Sequence, residues 1–405
     1  MPNSDLTTTV AVTERSVESL LVVVPPQSDV GMAPATMVAG LPLLRRIALA
    51  GIRAGFSRVL IRSAHPDSDR LLDGTGAVAL TDGPLPLAEI AGPGPAARTR
   101  IVILPANVVP QVRWLRSLRE RQLDAERLHG EPAMAVIDTG NAAWVLTEAT
   151  RWESAEELIA ALCAKFGRAD LEADTTGRFR LSSPADAATA ETWLLRSLIK
   201  QREGFMSRHF ERKISLAITR RLAPTRVTPN AMTLVSLAIG LLGAPFFLSS
   251  EAHYQLVGAL LFLTHSILDG CDGELARLKF MESPHGAILD FWGDNAVHVA
   301  VFSCMAVGLS LATGGVWPLL AGVITVVATV GSAAFASRET MRDTALDDDA
   351  TWLARLAEAF SHRDFIYLVV ALSAFGKAYW FLMLASVGTP TFFLLILWVS
   401  ARRRA

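Results

Sequence analysis

A chain of 405 residues with a formal net charge of -1 has room for two or three domains and lacks the broad basic surface that a nucleic-acid partner requires. Hydrophobic residues make up 51% of it and the mean hydropathy is +0.35, high for a soluble protein and low for one buried in lipid throughout. One soluble part and one membrane part are therefore expected. Cys163, Cys271 and Cys304 form no C-x-x-C pair and give no sign of a disulfide framework or a zinc site.

The first residues, MPNSDLTTTVAVTERSVESLLVVV, have no basic segment ahead of their apolar run, so no cleavable signal peptide is expected and residues 1–180 are expected in the cytoplasm. Leu20 to Val24, Arg58 to Ile61, Ile101 to Leu104 and Met134 to Ile137 have the composition of buried strands. Pro42 to Gly55 has that of a helix with proline in its first turn and glycine at its end. Strands alternating with helices predict an α/β domain with a largely parallel sheet.

In layout this first domain resembles the sugar-phosphate nucleotidyltransferases, in which a Gly-rich basic loop follows the first strand and a later strand ends in a metal-binding aspartate. Here the loop PPQSDVGMAPATMVAG has no Lys or Arg before Arg45, and the later strand IVILPANVVP has Asn107 where the resemblance calls for the aspartate. An amide brings no negative charge to a cation, so the domain is expected to be nucleotidyltransferase-like but inactive, kept for regulation or docking. An active cytidylyltransferase and an unrelated Rossmann-like domain are the alternatives. Asp138 and Asn141, at a strand end in IDTGNAAWVL, are expected in a plain turn.

Residues 181–228 are expected to comprise a linker and an amphipathic juxtamembrane helix. Polar, irregular composition between Ala169 and Ala190 suits the linker, and Glu191 to Leu222 suits the helix. Arg196, Lys200, Arg202, Arg208, Arg212, Lys213, Arg220 and Arg221 alternate there with Trp193, Leu198, Phe205, Phe210, Ile214 and Ile218. Such a helix would lie on an anionic lipid surface; a solvated charged face is the bland alternative.

Residues 229–405 read as an all-α membrane domain of about six transmembrane helices, near 232–250, 255–274, 285–311, 315–337, 364–387 and 389–401. Lys377 falls inside the fifth of these, so the break between the last two helices is also considered there. Lys and Arg gather in alternate connections, among them Arg226, Arg277, Lys279, Arg338, Arg342 and Arg363, which predicts a multi-pass cell-membrane protein with both termini inside.

Within the second and third spans lie Asp269 and Asp272, at i, i+3, and Asp290 and Asp294, at i, i+4, so each pair projects from one helix face. Anions in apolar surroundings need neutralising, and hard divalent cations, Mg²⁺ or Mn²⁺, prefer carboxylate and phosphate oxygens. Gly273 and Gly286 permit close approach, and Arg277 offers a fork that fits phosphate. Divalent metal with a phosphate-matching arginine points to phosphoryl transfer.

The stretch resembles the signature of the CDP-alcohol phosphotransferases, D-x2-D-G-x2-A-R-x8-G-x3-D-x3-D, met here by Asp269, Asp272, Gly273, Ala276, Arg277, Gly286, Asp290 and Asp294. The resemblance implies two metal ions held by the four aspartates, with Asp294 also the general base on the acceptor hydroxyl. It implies that Gly273, Ala276, Arg277 and Gly286 seat the cytidine diphosphate, and that Asn230 and Thr233 of VTPNAMT help to hold it; helix capping alone is the other reading of Asn230. The implied partners are a CDP-alcohol donor, an alcohol or phosphorylated alcohol acceptor, membrane lipids and a second copy of the chain.

CDP-diacylglycerol is the favoured donor, making a phospholipid synthase. The run DGCDGELAR resembles instead the branch that uses CDP-inositol and an inositol phosphate, although WGDN, with Asn295, departs from it. Cys271 is expected as a buried filler, His298 as a packed histidine, and Arg338, Arg342 and Arg363 as basic residues within reach of an acceptor phosphate. From a different class, a divalent cation transporter would need acids at several depths along the spans.

Overall fold

The computed structural model describes residues 18–27, 33–63, 65–80, 98–131, 133–170, 175–199, 210–342 and 365–404. The chain divides into two compact units, Met1–Leu194 and Leu195–Ala405.

In the first unit the strands are β1 (Glu18–Val24), β2 (Met37–Val38), β3 (Leu41–Pro42), β4 (Arg58–Arg62), β5 (Val78–Leu80), β6 (Thr99–Pro105), β7 (Val108–Pro110), β8 (Leu128–Glu131), β9 (Met134–Thr139), β10 (Arg168–Ala169) and β11 (Arg178–Arg180). Seven of them form one sheet in the order β10-β8-β9-β6-β1-β4-β5. β1 runs parallel to both β4 and β6, and β9 runs antiparallel to β6 and β8. The α/β domain expected from the sequence is thus present, with a sheet largely parallel apart from β9, which runs antiparallel to both its neighbours. Leu20 to Val24 are fully buried, as a central strand covered on both faces must be, and that is why β1 reads as an unbroken apolar run.

The helices of this unit are α1 (Leu43–Arg53), α2 (Ser68–Leu72), α3 (Val112–Glu120), α4 (Ala142–Arg151), α5 (Ala155–Phe166) and α6 (Ala187–Ser197). α1 packs so closely on the sheet that a Cβ at Gly51 would lie 2.9 Å from Val59 Cγ2, and it gives way to Gly55 at φ +85°. α4 and α5 cover the other side of the core through Val145, Leu146, Leu158 and Leu162.

The stretch expected as an irregular linker is in part ordered structure. β11 pairs antiparallel with β7, Leu181 is fully buried, and its N–H donates to the Asn107 carbonyl at 2.8 Å. Polar composition misled because this edge is held by backbone bonds, which side chains do not announce. Glu191 to Leu222 is likewise not one described helix: α6 ends at Ser197 and α7 (Arg212–Leu222) begins the second unit's helices. Lys200, Arg202, Phe205 and Arg208 lie outside the described residues.

The second unit continues with α8 (Pro229–Gly243), α9 (Ala252–Lys279), α10 (Pro284–Thr313), α11 (Trp317–Arg342), α12 (Phe365–Ala374) and α13 (Ala378–Arg404). Five stretches among the described residues are long and apolar enough to cross a membrane: Pro229–Leu248, Ala252–Lys279, Pro284–Thr313, Trp317–Arg338 and Ala378–Arg402. α12 is a shorter apolar helix. The break between α12 and α13 falls at Gly376, φ +68°, and Lys377, not near residue 388. Pro390 sits inside α13 without ending it.

Candidate active site

Three helix ends build the site. Pro229 opens α8 behind the N-cap Thr228, whose side chain accepts from the Ala231 N–H at 3.3 Å. Pro284 opens α10 behind Ser283, whose Oγ accepts from the Gly286 N–H at 3.0 Å. α9 stops at Phe280, in left-handed conformation at φ 58°. Cap, proline and reversal are local signals, and together they put Asn230, Arg277 and Gly286 around one cavity of about 230 Å³.

Thr233, Asp272, Gly273, Ala276 and Asp290 line the same cavity. All six residues expected to seat the nucleotide therefore border it. The missing side chain at Gly286 has a plain purpose, because a Cβ there would lie 2.9 Å from Asn230 Oδ1. At Gly273 a Cβ would sit 3.2 Å from an Arg277 guanidinium nitrogen, so this glycine leaves room for the arginine.

Asp269, Asp272 and Asp290 each bring a carboxylate oxygen within 4.8 Å of the others. Asp269 and Asp272 are buried and Asp290 half-buried, and Thr233 Oγ1 hydrogen-bonds Asp272 Oδ2. Three converging carboxylates repel one another, and all-oxygen donors at this spacing fit a hard divalent cation. Asp294, the expected fourth member, lies outside that 4.8 Å group, and its Oδ1 lies 3.1 Å from His265 Nε2. The packing of α9 on α10 reveals that partner, and His265 Nδ1 also meets the Ser236 carbonyl of α8 at 3.0 Å.

The CDP-alcohol phosphatidyltransferase family model matches residues 226–399, the stretch that holds every one of these side chains. Residues 226–399 form a CDP-alcohol phosphatidyltransferase domain. Two curated relatives are the bifunctional IPC transferase and DIPP synthase of Rubrobacter xylanophilus, 38% identical over 148 residues, and that of Thermococcus kodakarensis, 34% identical over 134. The matches cover 36% and 33% of this chain, and only 33% and 30% of those proteins. The crystal structure of phosphatidylinositol phosphate synthase of Mycobacterium tuberculosis is 23% identical, with a TM-score of 0.32, covering 45% of this chain and 95% of that one.

Other residues of the phosphatidyltransferase domain fall as follows. His298 is packed among aromatic rings, 5.5 Å from Phe262 and 5.8 Å from Phe365 between centroids. Cys271 is fully buried, its thiol 3.6 Å from the Ser215 carbonyl. Arg338 is exposed, Arg363 lies outside the described residues, and the Arg342 side chain is not among those described. Asn295 Nδ2 donates to the Phe291 carbonyl at 2.7 Å on its own helix.

Composition gave no hint of two further contacts. Lys279 Nζ donates to the carbonyls of Thr225, at 2.7 Å, and Val227, at 3.3 Å, which ties the segment before α8 to the end of α9. Glu274, between Gly273 and Ala276, is fully buried and accepts from Arg212, Ser215 and Thr219.

In the sheet domain Asn107, Asp138 and the first arginines have structural work. Asn107 is buried and its Nδ2 donates to the Leu181 carbonyl at 2.9 Å. Asp138 lies in β9 rather than in a turn, and takes two bonds from Arg100, at 2.7 and 2.6 Å. Arg45 and Arg46, the first cations after β1, bond backbone carbonyls, Arg45 those of Leu71 and Asp73 and Arg46 those of Val38 and Ala39. Burial pulls the Arg46 guanidinium down to about 10, low for an arginine yet still charged at neutral pH.

Proposed function

We propose that this protein transfers a substituted phosphate from a CDP-linked alcohol to an acceptor alcohol, with release of CMP. One observation carries the proposal: Asp269, Asp272 and Asp290 converge beside a cavity that also holds Arg277 and two glycines at their closest walls. Asp269, Asp272 and Asp290, with Asp294 at their border, would hold two divalent ions, Mg²⁺ or Mn²⁺. When bound, such ions neutralise the pyrophosphate and hold it for in-line attack.

The residues of the chain do the rest. Arg277 forks onto phosphate oxygens, Asn230 and Thr233 border the donor's cytidine side, and Gly273, Ala276 and Gly286 let it approach the helices. Asp294, oriented by His265, takes the proton of the acceptor hydroxyl. The hydroxyl oxygen forms a bond to the β-phosphorus while the bond from that phosphorus to the bridging oxygen breaks, and CMP leaves with the electron pair.

For the donor, apolar helices around the site favour CDP-diacylglycerol and a product lipid. A second reading, CDP-inositol with an inositol phosphate acceptor, is favoured by the curated relatives, which are named IPC transferase and DIPP synthase. The sheet domain would be a docking or regulatory unit without nucleotidyl transfer, because Asn107 and the first arginines are engaged with backbone carbonyls. Alternating basic connections support a cytoplasmic location for it, for the site and for both termini. A homodimer in contact with membrane lipids completes the proposal.

A divalent cation transporter fits less well, since the three carboxylates gather in one place instead of along a path. Purified protein incubated with CDP-diacylglycerol or CDP-inositol, a panel of acceptors and Mg²⁺ or Mn²⁺ should release CMP. Asp294→Asn should abolish that release, and full activity in the variant would remove the base.

A further inference from the structure

Glu274, inside the signature stretch, has no part in the chemistry above, and its side chain is wholly out of contact with solvent. Arg212 Nη1 and Ser215 Oγ each donate to its Oε1 at 2.7 Å, and Thr219 Oγ1 donates to its Oε2 at 2.7 Å. All three donors belong to α7. Around α9, Glu274 is two residues beyond Asp272, which turns it roughly 200° away. The helix is thus gripped by α7 on one side and presents Asp272 to Thr233 of α8 on the other.

The rest of the seam between α7 and α9 is shaped to admit this grip. A Cβ at Gly270 would lie 3.3 Å from Arg212 Nη1, so glycine leaves the guanidinium its place. Cys271 and Leu275 are fully buried in a small cluster with Ile218 and Leu222. An apolar residue at 274 could hold the helices together as firmly, since buried ion pairs seldom outdo good packing in stability. What three directional bonds add is a fixed rotation of α9 about its own axis.

We propose that Glu274 is a positioning residue: clamped by Arg212, Ser215 and Thr219, it sets the azimuth of α9 and so the spacing of Asp269 and Asp272 against Asp290. The inference rests on the proposed function in taking these three aspartates as metal ligands. A misplacement of about 1 Å at such a site can cost roughly 100-fold in rate, so a clamp remote from substrate carries catalytic weight.

The test measures Mn²⁺ affinity of the full chain in detergent, by electron paramagnetic resonance of the free ion, well below the melting temperature of each variant. Thr219→Val and Ser215→Ala each remove one neutral donor and keep the pair of Arg212 with Glu274. Each should weaken Mn²⁺ binding about tenfold, and Thr219→Ser, which restores the hydroxyl, should recover it. A purely structural role would lower the melting temperature and leave the affinity of the folded protein alone. Wild-type Mn²⁺ binding in both variants, or no recovery in Thr219→Ser, overturns this inference and leaves the reaction standing. Failure of the wild type to bind Mn²⁺, or binding undiminished in Asp272→Asn, overturns the metal site itself and this inference with it.

Discussion

His265 Nε2 lies 3.1 Å from Asp294 Oδ1, while Nδ1 of the same ring lies 3.0 Å from the Ser236 carbonyl oxygen. A carbonyl oxygen only accepts, so Nδ1 carries a proton and the ring's orientation is set by the backbone of α8. Nε2 and Asp294 Oδ1 then hydrogen-bond through one further proton that the two groups share, so the carboxyl group of Asp294 is held by a histidine that is itself held. Replacing His265 with alanine should lower kcat by about 10- to 100-fold, the usual cost of losing an orienting partner, with little change in donor KM. Rates of CMP release at saturating donor check this.

Arg212 is taken by Glu274, whereas Arg277 lines the cavity. Hydrogen bonds to a charged group are worth about 1.5–3 kcal/mol, a factor of roughly 10 to 150 in affinity. Arg277→Ala should lose that much in kcat/KM for the CDP-alcohol. Arg277→Lys should recover only part of it, because an ammonium cannot make two parallel bonds to a phosphate. Steady-state kinetics on both variants give the answer.

Gly286→Ala would put a methyl 2.9 Å from Asn230 Oδ1 and 3.0 Å from Ser283 Oγ, at the mouth shared by α8 and α10. Asn230 must then move into the cavity or the two helix ends must part. Donor KM should rise about tenfold while Mn²⁺ binding stays near wild type, since no carboxylate borders the new methyl. Donor titrations and metal titrations on one preparation separate the two effects.

Asn107→Asp tests the sheet domain. An aspartate at this position would set a buried anion against the Leu181 carbonyl, which now accepts from the asparagine amide and would lose that donor. The substitution should cost about 1–3 kcal/mol or more in the stability of that domain and confer no nucleotidyl transfer from CTP. Thermal unfolding of the full chain and an assay for pyrophosphate release are the measurements; new activity would mean that the asparagine alone silenced the site.

Much of this was written in the chain. The spacing of Asp269 and Asp272, and of Asp290 and Asp294, is a helical property, so periodicity alone put each pair on one face of its helix. Thr228, Pro229, Ser283 and Pro284 are local start signals that act within one turn, and the helices begin there as such signals direct. β1 declared itself through an unbroken apolar run. Less legible was the end of α12, where Gly376 breaks the helix while Pro390, a stronger breaker in isolation, is carried inside α13.

The sequence by itself determined which carboxylates sit where along α9 and α10, because residue spacing on a helix is fixed by its backbone. Tertiary structure alone decided that Asp294 turns to His265, that Glu274 turns to α7, and that Asn107 holds β11. Each of those choices depends on which side chain of another element arrives within 3 Å or so, a distance that hydrogen bonding requires and that no one-dimensional pattern records.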